Sequence, residues 1–502
     1  MGCAASALVY NAAMGKVCAS LNVPGTEAAL AAMRKAKAAG ADLVELRLDL
    51  MEDFDLVRML DYRPLPAIVT YRRRDQGGGR ECEESERLAV LSRALELGAD
   101  YVDVEAGAES GLKRSGRGRV IVSHHDFEGF PGDLDALYND LRARGGDAVK
   151  IAVTAKHPLD CLPLYDLCSR SRKPLIALAM GECGAASRVL SLRFGAFLSF
   201  GALSAEECTA PGQIDVAEMT RVYRAGELGD ATRLFGVIGD PIAHSLSPVV
   251  HNAAYRKMGM DAVYVSFRVP DRPGEFLRSY AKLGFEGFSV TIPHKRAALE
   301  EADEADEVAR QIGAANTITV VGGKLRASNT DADAAVAQLV AAFDGADRLK
   351  GRTVLLLGAG GAARAAGWGL VRSGVKLVVA NRTEERGRKL AEELGAEFRP
   401  LDGLEGLSWD AAVNTTPLGM SPLVSNTPLA EDLIRPGTVV FDTVYNPLRT
   451  RLLREAKKRG ARPVDGIGMF VEQAAQQINT WTGQKAWPRL MREAALERLG
   501  EE

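Results

Sequence analysis

One pattern occurs eight times between residues 16 and 205: a short apolar run followed by a stretch of helical periodicity. Helical stretches such as Thr26–Ala39 and Glu84–Leu97 separate most of the runs. Eight such units in about 190 residues predict a compact TIM (β/α)8 barrel. The predicted strands are Val17–Leu21, Leu43–Leu48, Ala67–Tyr71, Tyr101–Glu105, Val120–Ser123, Ala148–Val153, Leu175–Ala179 and Ala196–Phe200.

Polar residues gather at the C-terminal ends of the predicted strands, which is where barrels of this kind carry their chemistry. They are Glu45, Arg47, Arg72, Asp103, Glu105, His124, His125 and Asp126. Lys150 differs, because it lies inside the apolar run Ala148–Val153. Desolvation lowers the pKa of a lysine, so this position favours a neutral amine that can form an imine. A structural lysine paired with Glu45 or Glu105 is the alternative, and the residues alone leave both open.

Four segments of this half resemble the type I 3-dehydroquinate dehydratases, across residues 15 to about 222. The segments are Glu45–Asp49, Ser123–Phe127, Lys150–Val153 and Ala210–Gln213. The resemblance implies a Schiff base between Lys150 and the ketone of the substrate. It also implies that His125, and not His124, transfers the protons. The substrate-binding residues that it implies are Glu45, Arg47, Arg72, Arg188, Thr209 and Gln213.

Two positions depart from the pattern of this family. Dehydratases of this type often have a glutamate after the third strand that orients the histidine. Here Gln76 stands in its place, or Asp75 with a shift of one residue. Thr209 stands where a serine is common. Neither departure removes the chemistry, and the first concerns the orientation of His125.

A dinucleotide-binding pattern lies in the second half of the chain. Thr353–Leu357 indicates a buried parallel strand, and the glycines of Gly358–Ala363 permit a tight turn into a helix whose N-terminus meets a pyrophosphate. The next predicted strand ends in Asn381–Thr383, without the acid that would bind the ribose hydroxyls of NAD. Arg382 suits a 2′-phosphate instead, so the pattern predicts a Rossmann domain that binds NADP.

The same half contains candidates for proton transfer and carboxylate binding. A lysine just after a strand-like run, with an aspartate downstream, can form a proton-transfer pair, and Lys295 and Asp331 fit this description. Ser245 and Ser247 are expected on one side of an extended segment, where both hydroxyls can face one carboxylate. Ser247 alone also suits a helix N-cap, and Asn316 alone suits a turn.

Residues 234 to 500 resemble the shikimate dehydrogenases along their whole length. The segments that carry the resemblance are Gly239–Pro248, Phe288–Lys295, Asn329–Asp331, Asn381–Thr383, Asn414–Met420, Asp442–Tyr445 and Gly466–Gln473. It implies that Asp331 orients Lys295, which exchanges a proton with the oxygen at the reacting carbon. The substrate-binding residues that it implies are Ser245, Ser247, Thr291, Asn316, Asn329, Tyr445 and Gln473. The NADP-binding residues are Gly358, Gly360, Gly361, Ala362, Asn381, Arg382, Thr383, Thr415, Gly466 and Met469.

Together these patterns predict an α/β chain in which a two-lobed dehydrogenase module follows the barrel. The predicted parts are an extension (1–14), the barrel (15–222), a linker (223–233), a substrate domain (234–344 and 466–502) and the Rossmann domain (345–465).

The two resemblances imply that the barrel dehydrates 3-dehydroquinate and that the second module reduces the product with NADPH. Two alternatives stay open: a quinate dehydrogenase as the second module, or a regulatory protein that has lost catalysis. The presence of Lys150, His125, Lys295 and Asp331 argues against the regulator.

Composition narrows the class of protein further. The 502 residues carry a net charge of −3 and no apolar stretch that could span a bilayer, so we expect small-molecule substrates rather than nucleic acid or membrane partners. All seven cysteines lie in the first half without a C-x-x-C pair, which predicts reduced thiols, no metal site and a cytoplasmic enzyme. Met1–Ser6 matches a myristoylation pattern, but this pattern is short enough to occur by chance.

Overall fold

The computed structural model describes residues 15–204 and 212–500, which form two compact units. One unit comprises the residues up to Arg233 together with Val265–Pro270, and the other comprises Leu234–Tyr264 and the residues from Asp271 onward. The predicted extension (1–14) and the predicted substrate-binding residue Thr209 lie outside the described residues.

Eight parallel strands form the sheet of the first unit. They are β1 (Lys16–Leu21), β2 (Leu43–Arg47), β3 (Ala67–Thr70), β4 (Tyr101–Glu105), β5 (Arg119–His125), β6 (Ala148–Thr154), β7 (Leu175–Met180) and β8 (Leu198–Gly201). The strand order is β7-β6-β5-β4-β3-β2-β1-β8, and Phe197 N donates to Leu175 O at 2.8 Å between the two end strands. The sheet is therefore a nearly closed barrel, which confirms the predicted fold.

Six α-helices connect these strands. They are α1 (Thr26–Ala38), α2 (Leu56–Asp61), α3 (Glu84–Glu96), α4 (Leu134–Ala143), α5 (Leu162–Arg170) and α6 (Ser187–Arg193). Aspartates cap two of them, because Asp55 accepts from Arg58 N at 3.0 Å and Asp133 accepts from Ala136 N at 2.8 Å. The predicted helices Thr26–Ala39 and Glu84–Leu97 are confirmed to within one residue at their C-terminal ends.

The segment that closes the barrel differs from the prediction. Residues 213–223 are expected to form an ordinary helix, but the structure has a π-helical turn over Glu218–Val222. The hydroxyl of Thr220 donates to the main-chain oxygen of Val216 at 3.0 Å. The same hydroxyl donates to Ala39 O, just after α1, at 2.7 Å.

Strand β5 extends two residues beyond its predicted end. Its register with β6 pairs His124 with Ile151 and His125 with Ala152, so both histidines belong to the strand. Side chains alternate between the two faces of a strand, which puts His125 on the same face as Ser123 and His124 on the other. This alternation decides which histidine can reach the barrel interior.

The second sheet is mixed and has six strands. They are β9 (Arg233–Gly239), β10 (Ala262–Arg268), β11 (Phe285–Val290), β12 (Glu304–Ala305), β13 (Thr317–Val321) and β14 (Lys324–Ser328), in the order β10-β9-β11-β13-β14-β12. Its helices are α7 (Ser247–Lys257), α8 (Pro273–Lys282), α9 (Lys295–Glu300) and α10 (Glu307–Ile312). Helices α9 and α11 (Asp331–Ala342) begin with the predicted catalytic lysine and aspartate.

The third sheet is entirely parallel. Its strands are β15 (Thr353–Leu357), β16 (Lys376–Asn381), β17 (Glu397–Pro400), β18 (Ala411–Asn414), β19 (Val439–Asp442) and β20 (Arg462–Val464). The order β17-β16-β15-β18-β19-β20 is the 3-2-1-4-5-6 order of a Rossmann fold. In such a fold the ligand binds where the order reverses, between β15 and β18.

The remaining helices complete the second unit. They are α12 (Ala346–Leu349), α13 (Gly361–Arg372), α14 (Glu384–Leu394), α15 (Arg451–Lys458), α16 (Gly466–Thr482) and α17 (Pro488–Leu499). Helix α16 returns to the mixed sheet, where Phe470, Ala474 and Ile478 share a core with Phe235 and Tyr264. Among the described residues, no helix is both long and apolar enough to cross a membrane.

Candidate active sites

A cavity lies at the C-terminal ends of the barrel strands. The polar and aromatic residues that line it include Ser20, Glu45, Arg47, Arg72, Gln76, His125, Phe127, Lys150, Arg188, Phe200 and Gln213. The structure thus brings together every described residue that the sequence predicts for the dehydratase site. His124 does not line the cavity.

Lys150 is buried in this cavity and paired with two acids. Its Nζ lies 2.9 Å from Asp103 Oδ2 and 3.5 Å from Glu45 Oε1, and 4.3 Å from the centroid of the Phe200 ring. Glu105 does not pair with Lys150, because its carboxylate accepts from arginines instead. The ion-paired and the cavity-facing interpretations of Lys150 therefore both hold, with Asp103 as the nearer partner.

Cations keep the two acids ionised. Arg72 donates two hydrogen bonds to Asp103, of 3.0 and 2.7 Å. Burial alone would raise the pKa of Asp103, but the charges of Arg72 and Lys150 hold it well below its usual value. Burial likewise acts to raise the pKa of Glu45, and the charges of Lys150, Arg47 and Arg72 lower it overall. Lys150 is thus adjacent to two ionised carboxylates.

His125 faces the cavity with a free ring nitrogen. Its Nδ1 has no hydrogen-bond partner within the described part of the chain. Burial, together with the charges of Arg72 and Lys150, lowers the pKa of His125 well below its usual value. The imidazole is therefore neutral near pH 7 and can accept a proton. Gln76 Oε1 accepts the backbone N–H of His125 at 3.0 Å rather than a ring N–H.

The loop that carries Gln76 is tied to the cavity rim. Arg47 donates to Gly77 O at 3.1 Å. Gly77 has a φ of 84°, and a methyl group added there would lie 2.5 Å from the ring of Phe127. That ring stacks on His125 with centroids 6.3 Å apart and an interplanar angle of 15°. The loop therefore helps to fix Phe127, and through it the face of the imidazole.

The second unit contains a lysine–carboxylate pair. Lys295 Nζ lies 2.6 Å from Asp331 Oδ2. The other carboxylate oxygen accepts from Asn316 Nδ2 at 2.8 Å, and Asn329 Oδ1 accepts from Asp331 N at 3.0 Å. Gln473 Oε1 lies 3.5 Å from Asn316 Nδ2. Five of the predicted residues thus form one connected group, in which Asn316 is a partner of the aspartate rather than a turn residue.

The paired serines lie in a turn, not in an extended segment. Leu246 between them has φ −80° and ψ −3°, and Ser247 N donates to Ser245 Oγ at 3.3 Å. The extended geometry is therefore wrong, because the chain turns directly into α7. The N-cap expectation for Ser247 is also wrong, since Ser247 is the first helical residue and Leu246 occupies the cap.

The predicted substrate-binding residues Ser247 and Tyr445 both lie near Tyr264. Burial raises the pKa of Tyr264, hydrogen bonds to Ser289 and Ser247 lower it, and Tyr445 raises it further. The Tyr264 hydroxyl donates to Ser289 Oγ at 2.5 Å. Thr291 follows the end of β11, and its N–H donates to Ile238 O at 3.0 Å.

The nucleotide-binding edge has the features that NADP requires. Gly358 has a φ of 118°, and a methyl group added there would lie 2.6 Å from Thr415 Oγ1, so this turn needs glycine. A side chain at Gly360, the residue before α13, would meet open space. Arg382, at the end of β16, is exposed and has no ion-pair partner among the described residues. A free cation and a bare helix N-terminus suit a 2′-phosphate and a pyrophosphate.

Comparisons with known proteins agree with this geometry. Family models match as Type I 3-dehydroquinase (17–245), Shikimate dehydrogenase substrate binding domain (237–318), Shikimate / quinate 5-dehydrogenase (340–422) and Shikimate 5′-dehydrogenase C-terminal domain (466–496). The bifunctional 3-dehydroquinate dehydratase/shikimate dehydrogenase, chloroplastic, of Arabidopsis thaliana is 40% identical over 500 residues, which cover 94% of this chain and 82% of that protein. This chain belongs to the family of bifunctional 3-dehydroquinate dehydratase/shikimate dehydrogenases.

Two single-module relatives align with the dehydrogenase half of this bifunctional family member. Shikimate dehydrogenase (NADP(+)) of Shouchella clausii is 45% identical over 260 residues, covering 51% of this chain and 94% of that protein. The crystal structure of shikimate 5-dehydrogenase from Thermus thermophilus in complex with NADP(H) and shikimate matches with a TM-score of 0.50 and 37% identity. That match covers 53% of this chain and 99% of the other. Both resemblances found in the sequence are therefore confirmed.

Sequence reasoning missed several residues of the two sites. In the barrel these are Ser20 and Phe200, and Ser20 donates to Glu45 Oε2 at 2.6 Å. Asp103 was predicted at a strand end, but not as the partner of Lys150. In the dehydrogenase, Gln477 is 1% exposed and donates to Asn316 O at 3.1 Å. One signal was available for Gln477, which lies one helical turn after Gln473.

Proposed function

We propose that this chain carries out two successive steps of the shikimate pathway of aromatic amino-acid biosynthesis. The barrel dehydrates 3-dehydroquinate to 3-dehydroshikimate, and the second unit reduces that ketone to shikimate with NADPH. The single observation that carries the proposal is that one chain holds both a buried Lys150 beside a neutral His125 and a Lys295–Asp331 pair. The product of the first centre is the substrate of the second.

In the dehydratase, Lys150 attacks the ketone as a neutral amine, after its ammonium proton has passed to solvent. The ketone oxygen leaves as water, and the protonated imine that forms withdraws electrons from the adjacent carbon; hydrolysis of the imine at the end releases the product and restores the lysine. His125 then removes the proton from that carbon and returns a proton to the departing hydroxyl. Arg47 and Arg188 supply positive charge for the substrate carboxylate.

In the dehydrogenase, Asp331 holds the Lys295 ammonium, which donates a proton to the oxygen of the reacting carbonyl. Ser245 and Ser247 bind the substrate carboxylate, and Asn316 and Gln473 bind its hydroxyls. The other residues assigned to the substrate are Thr291, Asn329 and Tyr445. Bound NADPH supplies the hydride.

The residues of the nucleotide-binding edge divide between two parts of NADPH. Gly358, Gly360 and the start of α13 accommodate the pyrophosphate, and Arg382 binds the 2′-phosphate. Arg386, an exposed cation in the first turn of α14, adds a second positive charge near the end of β16.

A coupled assay tests this function. 3-Dehydroquinate is added with NADPH, and the loss of nicotinamide absorbance is followed. Oxidation of NADPH requires both centres. If NADPH is oxidised only when 3-dehydroshikimate is added, the barrel does not have its proposed activity. If NADPH is oxidised with neither substrate, the result favours a regulatory protein. If the enzyme oxidises quinate with NADP+ faster than it oxidises shikimate, the second module is a quinate dehydrogenase.

The cellular setting is also a proposal. The enzyme acts on small molecules in the cytoplasm, without nucleic acid, and its parts are those predicted at residues 15–222, 234–344 with 466–502, and 345–465. Among the described cysteines, Cys18, Cys82, Cys161 and Cys168 form no disulfide, which supports a reducing compartment. Fractionation of cells that express the full chain, with antibody detection, tests this location, and enrichment in an organelle would contradict it.

A further inference from the structure

Asp442 ends β19 with a completely buried carboxylate, and all of its partners are neutral. Its Oδ1 accepts from Val444 N at 3.0 Å and from Asn414 Nδ2 at 2.9 Å. Its Oδ2 accepts from Thr450 Oγ1 at 2.6 Å. A buried carboxylate without a cation is costly, so its presence calls for a role in organising the neighbouring chain.

This role follows from the orientation of the Asn414 side chain. Asp442 as a carboxylate only accepts hydrogen bonds, so Asn414 must turn its NH2 group toward it. Asn414 Nδ2 also donates to Leu418 O at 3.2 Å. Its Oδ1 is then free to accept from Thr416 N at 2.9 Å and from Thr416 Oγ1 at 2.7 Å. The segment 415–419, which we call the cofactor loop, is thus folded around one oriented amide.

The cofactor loop lies directly against the nucleotide-binding turn. A methyl group added at Gly358 would lie 2.6 Å from Thr415 Oγ1, and that hydroxyl donates to Leu357 O at 2.7 Å. On the other side of the carboxylate, Val444 precedes Tyr445, which stacks on Phe470 with centroids 4.5 Å apart. Asp442 is therefore the point at which the cofactor loop and a substrate-binding segment are joined.

We propose that Asp442 is a positioning residue for the dehydrogenase: its ionised carboxylate orients Asn414, and through it the cofactor loop, in the shape that binds NADPH. The inference rests on the proposed use of NADPH and deepens it. Because Asp442 is completely buried, we assign it no contact with substrate or cofactor. Its loss should therefore act through the affinity for NADPH rather than through the chemical step.

Protonation of Asp442 should likewise weaken the binding of NADPH by the cofactor loop. Burial raises the pKa of Asp442 to about 6, while the hydrogen bonds from Thr450, Val444 N and Asn414 act to lower it. Above this pKa the carboxylate accepts all three hydrogen bonds. Below it, the added proton must replace one donor, and Thr450 must find another acceptor. The KM for NADPH should therefore rise as the pH falls through about 6.

The test compares the wild type with Asp442→Asn in the reduction of 3-dehydroshikimate, from pH 5 to 8. The new asparagine places an NH2 group opposite groups that donate hydrogen bonds to Asp442 in the wild type. We therefore expect the KM of the variant for NADPH to rise about tenfold at pH 7.5, with kcat changed less than twofold. We also expect that the KM of this variant for NADPH does not rise below pH 6. A rise that persists in Asp442→Asn would belong to the 2′-phosphate of NADPH and would overturn the pH role.

Two further variants keep the test decisive. Thr438→Val removes a hydrogen bond to Arg435 O (2.7 Å) at the opposite, N-terminal end of β19, so it should lower the melting temperature and leave the KM for NADPH unchanged. If Asp442→Asn does not fold, Thr450→Val removes one of the three partners of Asp442, together with the N-cap that the hydroxyl gives Leu453 N of α15, and should raise the KM about threefold. Equal KM values in the wild type and every folded variant would overturn the inference. A wild type that does not oxidise NADPH would instead refute the proposed function.

Discussion

At the scale of single residues, the chemistry of the barrel depends on how charges surround two side chains. Lys150 and His125 share one cavity, but their surroundings differ. Carboxylates face Lys150, whereas burial and the charges of Arg72 and Lys150 keep the imidazole of His125 neutral. A neutral base beside a lysine that two carboxylates hold in the cavity is the combination that imine chemistry needs.

The lysine can be tested by trapping. Borohydride added with 3-dehydroquinate should reduce the imine and leave a covalent adduct on Lys150, located by mass spectrometry of peptides. Lys150→Arg keeps a positive charge beside Asp103 and Glu45 but cannot form the imine, so this variant should remain folded and unlabelled. An adduct on another lysine, or dehydration by Lys150→Arg at the wild-type rate, would contradict the mechanism.

The glutamine near the histidine should set the pH range of the dehydratase. His125 must be neutral to act as a base, so activity is lost as the pH falls through its lowered pKa. Gln76→Glu should still accept the backbone N–H, but its negative charge should move the acidic limb of kcat/KM up by about one pH unit. Gln76→Ala removes the acceptor without adding charge and should leave the limb in place. If the acidic limbs of the kcat/KM profiles of Gln76→Glu and the wild type coincide, this electrostatic role is refuted.

At the scale of elements, strands deliver the functional side chains, and their exact ends matter. Pairing with β6 extends β5 to His125, and alternation along the strand then separates His125 from His124. In the Rossmann sheet, the end of β16 carries Arg382 beside the turn at Gly358. We therefore propose that this one strand end sets the choice of cofactor.

This strand end can be tested by cofactor kinetics. Arg382→Ala should raise the KM for NADPH by about ten- to a hundredfold, because a charge-assisted contact is worth about 1.5–3 kcal/mol. The KM for NADH should change little, since NADH has no 2′-phosphate. Lys376→Ala removes a cation from the opposite end of the same strand and should change neither constant. A wild type that prefers NADH would show that this strand end does not select the cofactor.

At the scale of the whole molecule, the two reactions belong to separate folds. The barrel residues come from one compact unit, and Lys295, Asp331 and the Rossmann edge come from the other. No residue assigned to one centre is shared with the other.

The two activities should therefore fail independently. Lys150→Ala should abolish dehydration and leave the reduction of 3-dehydroshikimate intact. Lys295→Ala should lower kcat for reduction by about 10²–10⁴-fold, with a smaller effect on KM, because it acts mainly as a proton donor in the transition state. 3-Dehydroshikimate should then accumulate from 3-dehydroquinate. Loss of both activities from either substitution, in a protein with an unchanged circular dichroism spectrum, would show that the centres depend on each other.

Local patterns in the sequence were sufficient for the fold class and for the main functional residues. Apolar runs that alternate with helical periodicity predicted the barrel, and the glycine turn at Gly358 followed by Arg382 predicted the Rossmann edge. These signals are local, because periodicity and backbone freedom depend on neighbouring residues.

Only the tertiary structure decided which partners surround those residues. Asp103 reaches Lys150 from a strand 47 residues earlier in the chain, and Gln477 reaches Asn316 across 161 residues. Asp442 meets Asn414 through the pairing of β18 with β19, and the two serines turn where an extended segment was expected. Such contacts depend on strand register and helix packing between distant segments, and no local pattern specifies them.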